Sequence, residues 1–471
     1  MNRLTPTPSL LRRTVEFIRL SLRDDDTDYT KGPVGRALGL LAIPMMLEMS
    51  MEAIFAVVDI AFVASLGTDA IAAVGITEAL VTVLYAVAIG LGMGVTAMVS
   101  RRVGANNADE AASVTGQAIW LGVVLSVVIG VAGVIFAADM LRLVGASDAV
   151  VETGAGYTTV LLGGAFSILY LFLLNAAFRG AGDAGIALRS LWVANGLNIL
   201  LDPCFIFGIG PFPEMGVTGA AVATTIGRGA GVLYQLWYLL DGRGRLEFHM
   251  RHMRLNPGLI KRMILISIGG VGQFLIATSS WIIIMAIVAM YGSNAVAAYT
   301  IALRMLEFVF LPAWGLGNAA ATLVGQNLGA DQPGRAELSA WRAVKFNLVF
   351  MTVVGFSMLA AAPVITGWFT SDPEVLAIGT TCLRMLSIGF PLYAIGLILT
   401  QSLNGAGDTF TPTVINFICF WVIQIPLAYW LATQLGAGPN GVFVAIVLSE
   451  SLITLLSIYV FRRGNWKLHA A

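Results

Sequence analysis

The chain has 471 residues, of which 58% are hydrophobic and only 11% charged, and its mean hydropathy is +0.84. Soluble domains carry roughly 25% charged residues, so this composition excludes a large soluble enzyme and indicates an integral membrane protein. Basic and acidic residues balance at 27 each, so no global field favours nucleic acid or an acidic partner.

Residues 1–35 contain neither a long apolar run nor a small-residue cleavage site, and so do not read as a signal peptide. Within them, SLLRRTVEFIRLSLR (9–23) is patterned as a basic amphipathic helix for a membrane surface, and DDDTD (24–28) as an acidic hinge. Twelve segments then reach the roughly 20 apolar residues that a spanning helix needs. They lie near 37–65, 70–99, 111–138, 151–178, 185–210, 216–240, 261–290, 295–325, 339–369, 375–403, 409–434 and 440–462. None shows the two-residue alternation of a membrane β-barrel. If the N-terminus is cytoplasmic, nearly every Lys and Arg falls in the tails and cytoplasmic loops. The exceptions are Arg142 outside and Arg228, Arg304 and Arg384 within spans. The positive-inside rule therefore places both termini in the cytoplasm, in a multi-pass protein of the cytoplasmic membrane. Cys204, Cys382 and Cys419 stand in apolar runs without ligand spacing and read as small core residues.

The chain repeats itself. LGTDAIAAVGI (66–76) overlies YGSNAVAAYTI (291–301), VSRRVGANNADEA (99–111) overlies VGQNLGADQPGRA (324–336), and GAGD recurs at 180–183 and 405–408, all at an offset of 225. GVTGAAVA (216–223) and GPNGVFVA (438–445) match at 222. Two copies of six spans share one orientation, related by an axis along the membrane normal. The expected fold is thus an all-α integral membrane protein with twelve transmembrane helices in two six-helix lobes related by a parallel repeat. The expected divisions are an amphipathic segment at 1–36, lobes at 37–240 and 261–462, a cytoplasmic linker at 241–260, and a tail at 463–471. This layout speaks for alternating access about a site near midplane; a channel would call for a repeated filter motif.

Two motifs have plain readings. GAGD lacks the GxxxxGK[ST] pattern of a phosphate loop and reads as a tight turn, with glycine at positive φ and aspartate capping the next helix. HMRH (249–252) has no further Cys or His nearby and reads as a basic surface loop. No catalytic cluster or nucleotide motif supports an enzyme.

The intramembrane charges are more informative. Glu48, Glu52 and Asp59 share one face of the first span, and Asn195, Asn198 and Asp202 share one face of the fifth. Pro44 and Pro203 can each free a carbonyl beside those stripes. In the second copy Asp59 is matched by Ile284, Asp202 by Leu427 and Glu48 by Gln273. A purely structural role would more naturally recur in both copies, so the N-terminal lobe carries the broken symmetry. Clustered carboxylates held out of water can take up and release a proton under physiological conditions. Met49, in a methionine cluster that is either ordinary packing or a deformable wall, joins Glu78, Tyr85 and Gln273 as candidate lining of a substrate cavity. Glu78, Arg228, Arg304, Glu307, Arg384 and Glu450 also read as structural charges; Arg304 and Glu307 are spaced to pair, and Arg228 and Glu450 occupy equivalent positions that would suit an interlobe contact.

LAIPMMLE, VVDIAFVASLGTDAIAAVG, the GAN and GAD turns, both GAGD turns, and NILLDPCFIFG followed by GAAVATTIGR resemble the multidrug and toxic-compound extrusion (MATE) family from about 37 to 462. Within it the chain looks most like the DinF-like prokaryotic branch. The resemblance implies an antiporter exporting drugs and other amphipathic, often cationic compounds, driven by protons or Na+, with no other cofactor and no obligate protein partner. It carries coupling roles to Asp59, Asn198 and Asp202, and to Thr224 as the hydroxyl of the sixth span. Gln273 stands where NorM-like members have a glutamate, and the tenth span has no acid, which argues against a C-lobe sodium site. The rival within the wider superfamily is a lipid-linked sugar flippase or polysaccharide exporter, which would need a large cationic cavity.

Overall fold

The computed structural model describes residues 10–22, 27–64, 66–242 and 244–468. Most of the acidic stretch expected as a hinge (residues 24–26), together with Arg3, Arg23 and Arg243, lies outside them. Helix α1 (Leu10–Ser21) is amphipathic: Val15 and Ile18 are exposed, while the Phe17 ring lies where a Cβ at Gly39 would be, 2.9 Å away. The membrane helices follow as α2 (Val34–Ala64), α3 (Thr68–Gly104), α4 (Ala108–Leu143), α5 (Asp148–Gly163), α6 (Ala165–Ala181), α7 (Ala184–Phe207) and α8 (Val217–Asp241). The second half contains α9 (Pro257–Ala289), α10 (Ser293–Gly329), α11 (Pro333–Gly367), α12 (Pro373–Gly405), α13 (Phe410–Gln434) and α14 (Pro439–Arg463).

Ten of these are long and apolar enough to cross a membrane, and α5 with α6 forms an eleventh span bent by 41°. Helix α8, less apolar because it carries Arg228 and Gln235, completes twelve. Starts are set locally: Asn107, Ser147, Asn256 and Asp372 each accept backbone N–H groups of the first turn, satisfying donors that a helix leaves free. Along α4 the valines 124, 127, 128 and 131 face outward, as a lipid-facing helix requires.

The repeat is written into the backbone. Positive φ angles occur in equivalent pairs: Gly67 and Gly292 (104° and 95°), Asn106 and Asp331 (54° each), Gly182 and Gly407 (95° and 88°), Gly216 and Gly438 (54° and 59°). The first three pairs are 225 residues apart and the last 222. Both GAGD turns thus use glycine as expected, but the aspartates differ. Asp408 accepts from the Thr411 N–H (3.1 Å) and caps α13, whereas Asp183 makes no capping bond and instead accepts from the Arg245 N–H (2.9 Å). Only the first copy is followed by the inter-repeat linker, and that linker takes the carboxylate. The linker docks again through Arg251 and His252, 2.6 and 2.9 Å from Asp109.

The halves exchange their first helices at the end that bears the basic loops. Leu38, Leu41 and Met45 of α2 pack with Ala319, Leu323, Ala340 and Leu399 of the second half. Their counterparts Met263 and Ile266 of α9 pack with Val95, Val99 and Leu174 of the first. The seam between α3 and α10 is closed by matched glycines: a Cβ at Gly104 would sit 1.9 Å from the Gln326 carbonyl oxygen, and one at Gly329 would sit 1.9 Å from that of Arg101. Gln326 and Arg101 are themselves repeat equivalents, so one contact is made twice about the pseudo-twofold axis.

Candidate functional site

Helices α2 and α7 run parallel, and their polar stripes face each other in register. Asn195 Nδ2 donates to Glu52 Oε2 (3.3 Å), and seven residues further along both helices Asp59 is the charged neighbour acting on Asp202. Helix α8 closes the third side. Gly227 lets it approach α7 so closely that a Cβ there would meet the Ala194 carbonyl oxygen at 2.5 Å. That approach brings Thr224 to Asn198, whose Nδ2 donates to Thr224 Oγ1 (3.0 Å) and, more weakly, to Asp202 Oδ1 (3.4 Å).

Three acceptor oxygens in this cluster are buried without a hydrogen-bond partner among the described residues: Asp59 Oδ1, Asn198 Oδ1 and Asp202 Oδ2. Each unsatisfied group costs roughly 1–3 kcal/mol, and more if charged, so the constellation suits a species that brings positive charge. Hard carboxylate, amide and hydroxyl oxygens fit a proton on either acid, or Na+ as transported cargo. The neighbouring cation is engaged elsewhere: Arg228 Nη2 donates to the Tyr85 hydroxyl (2.7 Å), and its guanidinium lies 6.0 Å from the centroid of the Phe55 ring. Arg228 therefore makes its contacts within the first half, and the interlobe contact with Glu450 expected from their equivalence is not formed.

Glu48 stands apart, eleven residues or roughly 16 Å of helix rise from Asp59. Its Oε1 accepts from Arg179 Nη1 and Asn175 Nδ2, both at 3.0 Å, and Asn175 Oδ1 in turn accepts from Ser190 Oγ (3.0 Å) and from Gln235. Arg179, read from the sequence as a loop residue, occupies the last turn of α6. The second copy repeats this bridge in neutral form: Gln273, the counterpart of Glu48, donates to Asn404, the counterpart of Arg179 (2.9 Å). A link between the first and fourth spans thus recurs in both halves, charged in one and neutral in the other.

The residues expected to line a substrate cavity have different surroundings. Tyr85 holds Arg228. Gln273 lines a cavity of about 510 Å³, formed by the second half together with Met93 of α3, whose walls include neither Met49, Glu78 nor Tyr85. Arg304 and Glu307 pair at 3.4 Å, as their spacing suggested. The Arg228–Tyr85 contact and the second-half cavity were missed by sequence reasoning, which had only the equivalence of Arg228 and Glu450 as a signal.

The MatE family model matches residues 44–204 and 271–430, once in each half. The chain is 28% identical over 443 residues to the probable multidrug resistance protein YoeA of Bacillus subtilis (strain 168), covering 93% of this chain and 95% of that one. It is also 28% identical to an FAD transporter of Shewanella oneidensis, covering 92% and 95%. A solved outward-facing structure of a multidrug resistance MATE family transporter of the MOP superfamily superimposes with a TM-score of 0.88 at 25% identity, over 93% of this chain and 98% of that one.

Proposed function

Because this chain belongs to the MatE family, a family of membrane transporters and not of enzymes, we propose that it exports drugs and other amphipathic organic compounds across the cytoplasmic membrane in exchange for protons. The observation that carries the coupling step is the trio of unpartnered oxygens on Asp59, Asn198 and Asp202. With the basic face and both termini taken as cytoplasmic, the glycine seam of α3 and α10 closes the transporter toward the cytoplasm. Protonation of Asp59 and Asp202 removes the mutual repulsion between α2 and α7 and allows them to pack more closely. Deprotonation restores the charge and favours the state that binds substrate. Such exchange requires that proton and substrate stabilise different conformations. In this reading Asp59 and Asp202 carry the proton, Asn198 and Thr224 position Asp202, Asn195 positions Glu52, and Glu48 braces the first and fourth spans.

Imposed gradients test the coupling. In proteoliposomes a pH gradient should drive drug movement and a Na+ gradient alone should not; movement driven only by Na+ would transfer the same oxygen cluster to a sodium site.

A further inference from the structure

The 510 Å³ cavity lies among α9, α10, α12, α13 and α14 of the second half, with Met93 of α3 added from the first. Its volume falls within the range of small-molecule pockets, roughly 300–1,000 Å³. Phe274, Trp281, Phe310, Trp314 and Phe420 give it an aromatic wall. Two carboxylates, Glu307 and Glu450, stand on the lining, and no Arg, Lys or His does. Glu307 is paired with Arg304. Glu450 takes no hydrogen bond or ion pair from any described residue.

The repeat explains why Glu450 is left without a partner. Its counterpart in the first half is Arg228, which is satisfied by the Tyr85 hydroxyl. The counterpart of Tyr85 is Phe310, which lines the same cavity as Glu450 and has nothing to donate. Beside it α13 is wound as a π-helix over Phe417–Gln424, and Ser449 Oγ ties α14 to the Cys419 carbonyl in that stretch (2.8 Å). Extra residues per turn are a recurrent feature of helices that shape a site.

We propose that this cavity is the drug-docking site and that Glu450 selects a lipophilic, aromatic organic cation. The inference rests on the efflux reading above and adds the location and charge of the ligand. An unpaired carboxylate within an aromatic wall attracts a weakly hydrated cation by charge and by ring quadrupoles together.

The test uses the full-length protein in lipid nanodiscs with tetraphenylphosphonium, a permanent cation, and triphenylphosphine oxide, a neutral compound of similar shape. Glu450→Gln should weaken tetraphenylphosphonium binding by about tenfold or more and leave triphenylphosphine oxide within about twofold. Thr278→Trp, which fills the cavity without touching its charge, should weaken both. Unchanged tetraphenylphosphonium affinity in Glu450→Gln, or in Thr278→Trp should the first variant not fold, overturns the site. Equal losses for both ligands in Glu450→Gln overturn the charge selection. Wild-type protein that moves no drug under any gradient would instead defeat the efflux reading itself.

Discussion

Position 59 holds a carboxylate whose repeat counterpart, Ile284, is fully buried, and the difference shows in their surroundings. Asp59 has an oxygen without a partner, and its neighbours on α7 and α8 are polar; Ile284 packs with Tyr299 and Cys382 in an apolar cluster. The tight approach at Gly227 gives a sharp test of that polar cluster. Gly227→Val should lift α8 from α7, cost about 1–3 kcal/mol of stability and impair transport, while Gly229→Val, where nothing crowds a Cβ, should do neither. Melting and efflux assays on the two variants check this. Another residue bears on pH. Burial is the largest single effect and raises the Asp28 carboxyl, but hydrogen bonds from Lys31 and Thr30 and the charge of Lys31 together hold it down to about 2. A depressed pKa gives a contribution present above the ordinary value near 3.8 and lost only as pH falls through about 2. The turn at 28–31 should therefore be insensitive between pH 5 and 8, and Asp28→Asn should leave the pH profile of efflux unshifted in that window. Asp59 and Asp202 were legible in the sequence because a charge in an apolar span is costly, roughly 2.5–3.5 kcal/mol at a membrane centre. Glu48 looked the same by that criterion. Its partner Arg179 is 131 residues away, and only the packed helices show the bridge.

The spans themselves were readable, since length and apolarity decide them, and so was the doubling of the chain. Less legible was how the copies interlock. The exchange of α2 and α9 between halves depends on which faces meet, and hydrophobic runs apolar on all sides carry little face information. The π-helical winding of α13 has no periodic signature either; Pro426, which lacks an N–H, sits between its two π segments. The glycine seam of α3 and α10 yields a prediction at this level. Gly329→Val places side-chain atoms on the Arg101 carbonyl and should hold the halves apart at the basic face. A cysteine at the buried seam position Ser100 should then react several-fold faster with a membrane-impermeant maleimide. Equal labelling with and without the valine would show that the seam does not depend on these glycines.

Across the whole molecule, the chain before α2 fastens the two halves together. Arg335, on the second half, donates to the carbonyls of Gly32 (2.8 Å), Lys31 (2.9 Å) and Tyr29 (3.2 Å). Buried Tyr29 lies under Arg245 of the linker and donates to the Gly182 carbonyl (3.3 Å) of the first half. Opening of the basic face must strain or release this strap. Arg335→Ala removes charged donors worth about 1.5–3 kcal/mol and should hasten tryptic cleavage at the exposed Lys31. An unaltered cleavage rate would mean that the strap is held by Tyr29 alone. The alternating-access reading joins strap, seam and N-lobe acids into one cycle, and its weight falls on Asp59. In everted membrane vesicles acidified inside, the wild-type protein should accumulate drug as protons leave, and Asp59→Asn, folded and present at equal amounts, should accumulate none. Accumulation by Asp59→Asn at the wild-type rate would contradict the proposed coupling.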